Sequence, residues 1–237
     1  KVQQILWVPD PSKGESFYIL PAEHNLGQRF STMVKGQRRE FLFTSPYRDH
    51  TGYVLYMERA GKWQPVSAIT TVGRLNEGLN ANGTVKLAPP AEFSDCNPMD
   101  AIFWNDTNRD GIVQRSECEV IKSSKPATAQ RRGEIPIPMG SGWGERIGPD
   151  LSFYANGIYR YSPVDFTDDG APIYSSKSLS AKIDDERGDF VPVSDEGQVL
   201  VLSFKGNPAA SRVAAIDKKT GEFRWTYPNP FPGVHGS

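Results

Sequence analysis

Residues 53–69 of the chain read YVLYMERAGKWQPVSAI. Two short stretches rich in aromatic and aliphatic residues flank Ala60-Gly61-Lys62, where a glycine permits the chain to reverse. The pattern predicts one strand over residues 53–58 and a second over residues 63–69, joined as an antiparallel hairpin. This segment therefore indicates β structure.

The same kind of pattern continues on both sides of this hairpin. Short stretches alternate between apolar and polar residues and are separated by turn residues, so a period of two fits better than the period of about 3.6 of a helix. Asn156-Gly157 is the strongest turn signal, because both residues tolerate the positive φ of a type I′ turn. Further strands are predicted over residues 4–8, 16–20, 40–44, 151–155, 158–161, 190–193, 198–204, 212–216 and 222–225. The chain is predicted to be all-β, built from consecutive antiparallel hairpins.

The composition agrees with a globular all-β protein. The 237 residues include 22 glycines and 19 prolines, and 11% of the residues are aromatic, which is typical of many turns that join short strands. No change of composition divides the chain. We therefore expect a single domain over residues 1–237, with long loops at about 71–93 and 123–132.

Charge and hydropathy exclude two classes of partner. The net charge is -1, and charges of both signs are mixed along the chain, so no long-range field attracts nucleic acid or an anionic membrane. No stretch approaches the roughly 18 apolar residues of a membrane-spanning helix, and Lys1 is not followed by the apolar core of a signal peptide. We expect no nucleic-acid binding and no membrane insertion, and we interpret the chain as soluble or as a mature or excised piece.

Residues 106–117, which we call the acidic loop, carry the clearest functional signal. They read DTNRDGIVQRSE and match the spacing D-x-N-x-D-G-x5-E of a calcium-binding loop. Calcium takes about six to eight oxygen ligands at about 2.4 Å, and alternate residues of a tightly coiled loop can aim their oxygens at one point. The predicted ligands are the side chains of Asp106, Asn108 and Asp110, the backbone carbonyl of Ile112, a direct or water-mediated oxygen of Gln114, and both carboxylate oxygens of Glu117.

Two other residues of the acidic loop support this prediction. Gly111 supplies conformational freedom at the sharp bend, and Val113 is expected to anchor the loop to the core. The alternative is an Asp/Asn/Gly-rich turn that binds nothing, and Arg109 and Arg115 favour it because they weaken the local negative field. Because every required position matches, calcium is the predicted cofactor.

The flanks of the acidic loop argue against a helix–loop–helix EF-hand. Pro98 lies just before the apolar residues 101–104, which leaves no room for an entering helix. After the loop, the mixed apolar and charged residues 118–122 suit a short strand. We therefore expect the loop to join two strands and to hold calcium as a fixed structural ion rather than as a sensor.

Cys96 and Cys118 stand on either side of the acidic loop. They form either a disulfide that ties down the loop or a pair of unlinked thiols, and the sequence spacing does not decide between these alternatives. A disulfide and a millimolar supply of calcium would both place the chain outside the cytoplasm. The expected localisation is extracytoplasmic: periplasmic, cell-surface or secreted.

Residues 215–225 read AIDKKTGEFRW and follow the order A-x-D-x-x-T-G-x-x-x-W. This segment resembles the repeat of pyrroloquinoline-quinone-type (quinoprotein-like) β-propellers, and residues 104–119 are similar to acidic loops of secreted bacterial propellers. The resemblance implies antiparallel four-stranded blades with the calcium-binding loop as an insertion. It also implies that Trp225 docks against the next blade.

The predicted strand number bears on the completeness of such a propeller. About a dozen strands would fill about three or four blades, whereas a closed ring usually has about four to eight. The chain is therefore expected to be one β-propeller-like domain or a propeller fragment, and residues 234–237 read like a cut through a longer polypeptide. The alternative for residues 215–225 is an ordinary hairpin of a β-sandwich.

Signals for other chemistry are weak. His24, His50 and His235 are far apart and match no zinc or haem motif. The acidic residues Asp168-Asp169 and 184–186 could serve acid–base chemistry or a second cation, but their neighbouring glycines favour solvated turns. No catalytic residue is assigned, and the sequence favours a protein without catalytic activity.

The sequence predicts an extracytoplasmic, calcium-stabilised propeller module with a binding or assembly role. Its expected partner is a protein or a glycan, or the rest of a larger propeller. Two alternative functions remain open at this point. One is a quinoprotein-like oxidoreductase, and the other is a carbohydrate-binding propeller that uses Trp63, Trp104 and Trp143 as sugar platforms.

Overall fold

The computed structural model describes residues 25–46, 52–76, 91–125, 134–139, 146–155, 159–182, 188–192, 198–203, 212–217 and 223–228. In these ranges the chain forms sixteen β-strands in four antiparallel sheets, with a few short 3₁₀ turns between strands. None of the described residues belongs to an α-helix. The all-β prediction is therefore confirmed for this part of the chain. Within the same ranges, no helix is long and apolar enough to cross a membrane.

The first sheet, as described, consists of six strands in chain order, each paired with the next. Its strands are β1 Asn25–Val34, β2 Gln37–Pro46, β3 Gly52–Arg59, β4 Lys62–Thr71, β5 Ala101–Asn105 and β6 Cys118–Ile121. The hairpin predicted from residues 53–69 is confirmed as β3 and β4, with Arg59 opposite Lys62. Its turn holds Ala60 and Gly61 at φ values of 50° and 81°, the left-handed region that a hairpin turn of this kind requires.

The sequence patterns do not predict β1, although it is one of the longest strands described. It pairs with β2 along its whole length, from Asn25 opposite Pro46 to Val34 opposite Gln37. The intervening Lys35 and Gly36 both have positive φ, 48° and 76°, as in the β3–β4 turn. Pairing across this turn, rather than the polar sequence of β1, determines the strand.

Both faces of the first sheet contribute buried residues to a core. Phe43 and Leu55 point into a main core on one face, whereas Trp104 lies in a second core on the other. Strand β5 shows the alternation expected of a strand between two cores, because Phe103 belongs to the main core and Ile102 to the second. The acidic loop follows directly after this doubly buried strand.

The remaining described strands form three smaller sheets. One four-stranded sheet, in the order β12-β9-β8-β7, contains β7 Arg146–Ile147, β8 Phe153–Ala155, β9 Tyr159–Tyr161 and β12 Leu179–Lys182. A two-stranded hairpin consists of β10 Asp165–Phe166 and β11 Pro172–Ile173. A second four-stranded sheet contains β13 Gly188–Pro192, β14 Gln198–Ser203, β15 Arg212–Asp217 and β16 Phe223–Pro228.

Several predicted hairpins are confirmed in this second half. Strands β8 and β9 are the pair predicted around residues 156 and 157, and β13 to β16 are the two pairs predicted over residues 190–225. The predicted strands over residues 4–8 and 16–20 lie outside the described ranges. The short strands β7, β10, β11 and β12 are not predicted by the sequence patterns, because pieces of two to four residues carry no readable periodicity.

The main core lies between the first sheet and the sheet of β7, β8, β9 and β12. The ring centroids of Tyr53 on β3 and Phe153 on β8 are 4.2 Å apart, and Tyr174 packs edge-on against Tyr53 with centroids 5.8 Å apart. Each of these three side chains is almost completely buried. Aromatic packing of this kind connects the two halves of the described fold.

Among the described residues, strand number differs from the predicted four per blade in two sheets, one of which is the two-stranded hairpin of β10 and β11. Within the described ranges, two sheets have the four strands expected of a blade, whereas the first sheet has six. The extra strands arise because the chain after β4 stays hydrogen-bonded to the segment that precedes β5, through Val72 N–H to the Asp100 carbonyl and Gly73 N–H to the Pro98 carbonyl, both at 2.9 Å. This contact returns the chain to the edge of β4, and β5 and β6 extend the sheet.

Candidate metal centre

The acidic loop connects β5 to β6, and the two strands pair antiparallel with Trp104 opposite Cys118. The prediction that the loop joins two strands is therefore confirmed. Arg109 and Gly111 adopt positive φ values of 68° and 72°, which tighten the coil in the middle of the loop. A 3₁₀ turn, Arg115–Glu117, closes the loop immediately before β6.

The fold brings three carboxylates of the acidic loop together. One oxygen from each of Asp106, Asp110 and Glu117 lies within 4.8 Å of the other two. Asp106 is fully buried, and the other two are half-buried. Like charges at this spacing repel one another, so the arrangement depends on donors or cations that compensate the negative charge.

Backbone amides of the loop supply part of this compensation. Asp106 Oδ1 accepts the Gly111 N–H at 2.9 Å, and Asp110 Oδ1 accepts the Ile112 N–H at 2.7 Å. Glu117 Oε1 accepts the N–H groups of Thr107 and Asn108 at 2.9 and 3.0 Å. The carboxylates are therefore fixed by the backbone of the loop itself.

The predicted amide ligands lie beside these carboxylates. Asn108 Nδ2 donates to Asp110 Oδ2 at 2.9 Å and to Gln114 Oε1 at 3.0 Å, while Gln114 Nε2 donates to Asp110 Oδ2 at 2.6 Å. Asn108 Oδ1 accepts the Asp110 N–H at 3.0 Å. The five side chains of the predicted ligand set thus belong to one small cluster, and the sixth predicted ligand, Ile112, is bonded to it through its amide. Their ligation of a metal remains a prediction.

Apolar contacts attach the acidic loop to the second core. Val113 is 2% exposed and packs in that core together with Phe93. The prediction that Val113 anchors the loop is confirmed. Glu92 adds a polar attachment, because its carboxylate accepts the Arg115 N–H at 3.0 Å.

Trp104 connects the loop to the same core. Its indole is completely buried, and its Nε1–H donates to Glu117 Oε2 at 3.2 Å. Trp63 is also buried, with 8% of its surface exposed. These two tryptophans present no free face to a sugar, so their predicted use as carbohydrate platforms is wrong. Trp143 lies outside the described residues.

Arg59, at the end of β3, is a contact of the loop that sequence reasoning missed. Its Nη1 lies 2.5 Å from Asp106 Oδ2, and its Nε donates to Asp169 Oδ2 at 2.9 Å. Burial raises the pKa of Asp106, and the donors on its carboxylate, from Gly111 and Arg59, only partly offset this effect. The two residues are 47 positions apart in the sequence, and no local sequence motif predicts their contact.

Asp169 belongs to a second acidic segment, the hairpin turn of residues 167–170 between β10 and β11. Asp168 is almost entirely exposed, and Asp169 pairs with Arg59 and accepts the Thr167 hydroxyl at 2.5 Å. Burial alone would raise the pKa of Asp169, but Thr167 and the Arg59 and Arg109 guanidiniums hold it below its ordinary value. The interpretation of Asp168-Asp169 as a turn is confirmed, whereas the acidic residues 184–186 lie outside the described ranges.

Asn105 fixes the position of the acidic loop relative to β11. Its side-chain amide donates to the Tyr174 carbonyl at 2.9 Å and accepts the Tyr174 N–H at 2.8 Å. This two-bond contact imitates the pairing of two strands. It places Asp106, the next residue, directly beside the chain that leaves the hairpin turn.

Both cysteines are free thiols. Cys118 Sγ donates to the Gln114 carbonyl at 3.3 Å, and Cys96 Sγ lies 3.5 Å from Lys122 Nζ. Burial raises the pKa of the Cys118 thiol to about 12. Of the two sequence-based alternatives, the structure has the unlinked pair.

The donor set of the acidic loop determines which ions it can hold. Asp106, Asn108, Asp110, Gln114 and Glu117 offer only oxygen as metal-ligating atoms, and hard cations such as Ca²⁺ and Mg²⁺ prefer oxygen. His24, His50 and His235 lie outside the described residues. The residues of the loop therefore fit a hard divalent cation.

Trp225 and its segment lie in the last four-stranded sheet. Trp225 stands opposite Ala215 on β15, and 41% of its surface is exposed. A register shift between Ala215 and Ile216 interrupts the pairing of β15 with β16.

Comparisons of the chain with family models, with curated proteins and with solved structures found no match. The resemblance to quinoprotein-like propellers therefore stays a prediction from residues 215–225. The functional proposal therefore rests on the geometry of the acidic loop.

Proposed function

We propose that the chain is a calcium-binding β-propeller module in which calcium is structural. The observation that carries this proposal is the convergence of Asp106, Asp110 and Glu117 within 4.8 Å, in a loop whose sequence matches a calcium-binding spacing at every required position. A cation at this point would neutralise three carboxylates that otherwise repel one another.

Calcium suits the loop better than magnesium. Magnesium demands near-ideal octahedral geometry and usually keeps several waters, whereas calcium accepts the mixed set of carboxylates, amides and a carbonyl that Asp106, Asn108, Asp110, Ile112 and Glu117 offer. The loop lies between two paired strands, so no helix pair can open when the ion binds. These features support a stabilising ion rather than a signal.

The module is proposed to act in binding or assembly outside the cytoplasm. Calcium is abundant there, so a loop with partly compensated charge would be filled. The two four-stranded antiparallel sheets among the described residues have the strand number of propeller blades, and the part-exposed indole of Trp225 suits docking against a neighbouring blade. The partner is proposed to be a protein or a glycan, or the rest of a larger propeller.

Elemental analysis together with thermal melting tests the calcium proposal. We expect one calcium per chain after dialysis against calcium, and a lower melting temperature in chelator. At a free calcium concentration of about 100 times the dissociation constant, the ion would add about 2.7 kcal/mol to the free energy of unfolding. Magnesium at the same concentration is the control, and we expect it to restore much less of the melting temperature.

The opposite results in the elemental analysis and the melting experiment would refute the proposal. Protein that contains no calcium after dialysis, and that melts at the same temperature with and without chelator, would show that the acidic loop is an ordinary turn. A bound ion without any shift in melting temperature would leave a calcium site but would refute its structural role.

A further inference from the structure

Arg59 pairs with the buried carboxylate of Asp106, and we propose that it lowers the calcium affinity of the acidic loop. This inference rests on the proposed function, because it concerns the same site. It assigns to Arg59 an effect on calcium affinity that the sequence motif of the acidic loop does not predict. The consequence would be a loop that fills only where calcium is abundant.

The two carboxylate oxygens of Asp106 have different partners. Oδ1 accepts the Gly111 N–H at 2.9 Å, which fixes the carboxylate within the loop. Oδ2 is paired with Arg59 Nη1. Arg59 therefore occupies one of the two oxygens that Asp106 could offer to a cation.

Arg59 and a divalent cation would therefore compete for the negative charge of the Asp106 carboxylate. The Arg59 side chain is 14% exposed and Asp106 is fully buried, so water screens their charges poorly. If the guanidinium stays in place, it repels the incoming cation across a few ångströms. If it moves away, the pair with Asp106 is lost. Both routes cost binding free energy.

Asp169 reduces this cost. Arg59 donates from Nε to Asp169 Oδ2, and its Nη2 lies 2.9 Å from the same oxygen. A guanidinium released by Asp106 therefore keeps a carboxylate partner in the hairpin turn. Removal of the Asp169 charge should leave Arg59 more tightly paired with Asp106 and should weaken calcium binding.

Calcium titration of the full chain by calorimetry tests the inference with three variants. Arg59→Met removes the charge and keeps most of the aliphatic stem, and we expect it to bind calcium about tenfold more tightly. Arg59→Lys keeps the charge but not the guanidinium fork that contacts both Asp106 and Asp169, so we expect a smaller gain in affinity than in Arg59→Met. Asp169→Asn should bind about threefold more weakly.

An increase in affinity separates competition from structural damage, because a loop that is merely disturbed binds its ion more weakly. If the wild type binds calcium and Arg59→Met binds it equally or more weakly, the inference is refuted while the proposed function stands. If the wild type binds no calcium, both are refuted. If Arg59→Met does not melt cooperatively, Arg59→Gln decides by the same titration: tighter binding supports the inference, and equal or weaker binding overturns it.

Discussion

The acidic loop and the hairpin turn of residues 167–170 are both short, acidic and glycine-containing, yet the fold treats their carboxylates in opposite ways. In the acidic loop, Asp106, Asp110 and Glu117 converge and are held by N–H groups of their own loop. In the hairpin turn, Asp168 is exposed and lies 3.7 Å from Arg109 of the acidic loop, and Asp169 pairs with Arg59 and Arg109. The acidic loop draws three carboxylates together, whereas the hairpin turn sets its carboxylates beside arginines.

The difference shows what separates a candidate metal site from an acidic turn. The hairpin turn is the more densely acidic segment, with two carboxylates in four residues against three in twelve, but the acidic loop spaces its carboxylates so that one oxygen from each reaches a common region. Arg59 joins the two segments, because it contacts Asp106 in one and Asp169 in the other. Matched substitutions in the two segments can therefore test whether calcium binding depends on the acidic loop and not on the hairpin turn.

The largest expected effect is on calcium affinity. Glu117→Gln removes the predicted bidentate ligand and one of three converging charges, and we expect calcium binding to weaken by about 100-fold. Asp168→Asn is the matched control, because it removes a charge from the hairpin turn, and we expect binding close to that of the wild type. Calcium titration measures both. Equal losses of calcium affinity in the two variants would show that the two segments contribute equally to calcium binding.

The next largest expected effect is on the free energy of unfolding, and it concerns Gly111 and Gly170. Gly111 and Gly170 have φ values of 72° and 92°, and a Cβ at Gly170 would also lie 3.3 Å from Val34 Cγ1. We expect Gly111→Ala and Gly170→Ala each to cost about 1–2 kcal/mol of unfolding free energy in chelator, measured by urea denaturation. Calcium affinity should fall in Gly111→Ala alone. A similar fall in Gly170→Ala would show that the two segments act as one site.

The smallest effect is the acid dependence of the hairpin turn. The pKa of Asp169 lies below its ordinary value of 3.8, so its ionised form stabilises the folded chain above that value and loses this contribution as the pH falls through the lowered pKa. In chelator, we expect Asp169→Asn to cost about 1 kcal/mol or less near neutral pH.

The same cost should shrink as the pH falls below 3.8, and it should vanish once the pH lies below the lowered pKa of Asp169. Melting temperatures of wild type and variant across this pH range measure the difference. If the difference between wild type and variant stays the same at every pH at which both melt cooperatively, the shape of Asp169 and not its charge makes the contribution.

Local features of the fold and of the acidic loop could be predicted from the sequence. The β3–β4 hairpin follows from its own residues and from Gly61, and the setting of the loop between strands follows from Pro98 and from the residues on each side. Val113 could be assigned to the core because its position in the loop spacing is usually apolar. In each case the decisive interactions lie within a few residues.

Contacts between distant residues could not be predicted. Strand β1 depends on its pairing with β2, and the six strands described for the first sheet depend on the return of the chain to β4 near Asp100. Arg59 meets Asp106 across 47 residues, and Asn105 meets Tyr174 across 69. No periodicity or spacing contains such information, because each contact is made only when separate segments pack together.

The bond from the Trp104 indole to Glu117 gives the acidic loop a natural chromophore. The indole is buried, so its emission depends on fixed protein neighbours rather than on water, and one of those neighbours is the predicted bidentate ligand. Any reorientation of the Glu117 carboxylate would change the electric field at the indole. Filling of the loop should therefore be readable from intrinsic fluorescence without a dye or a label.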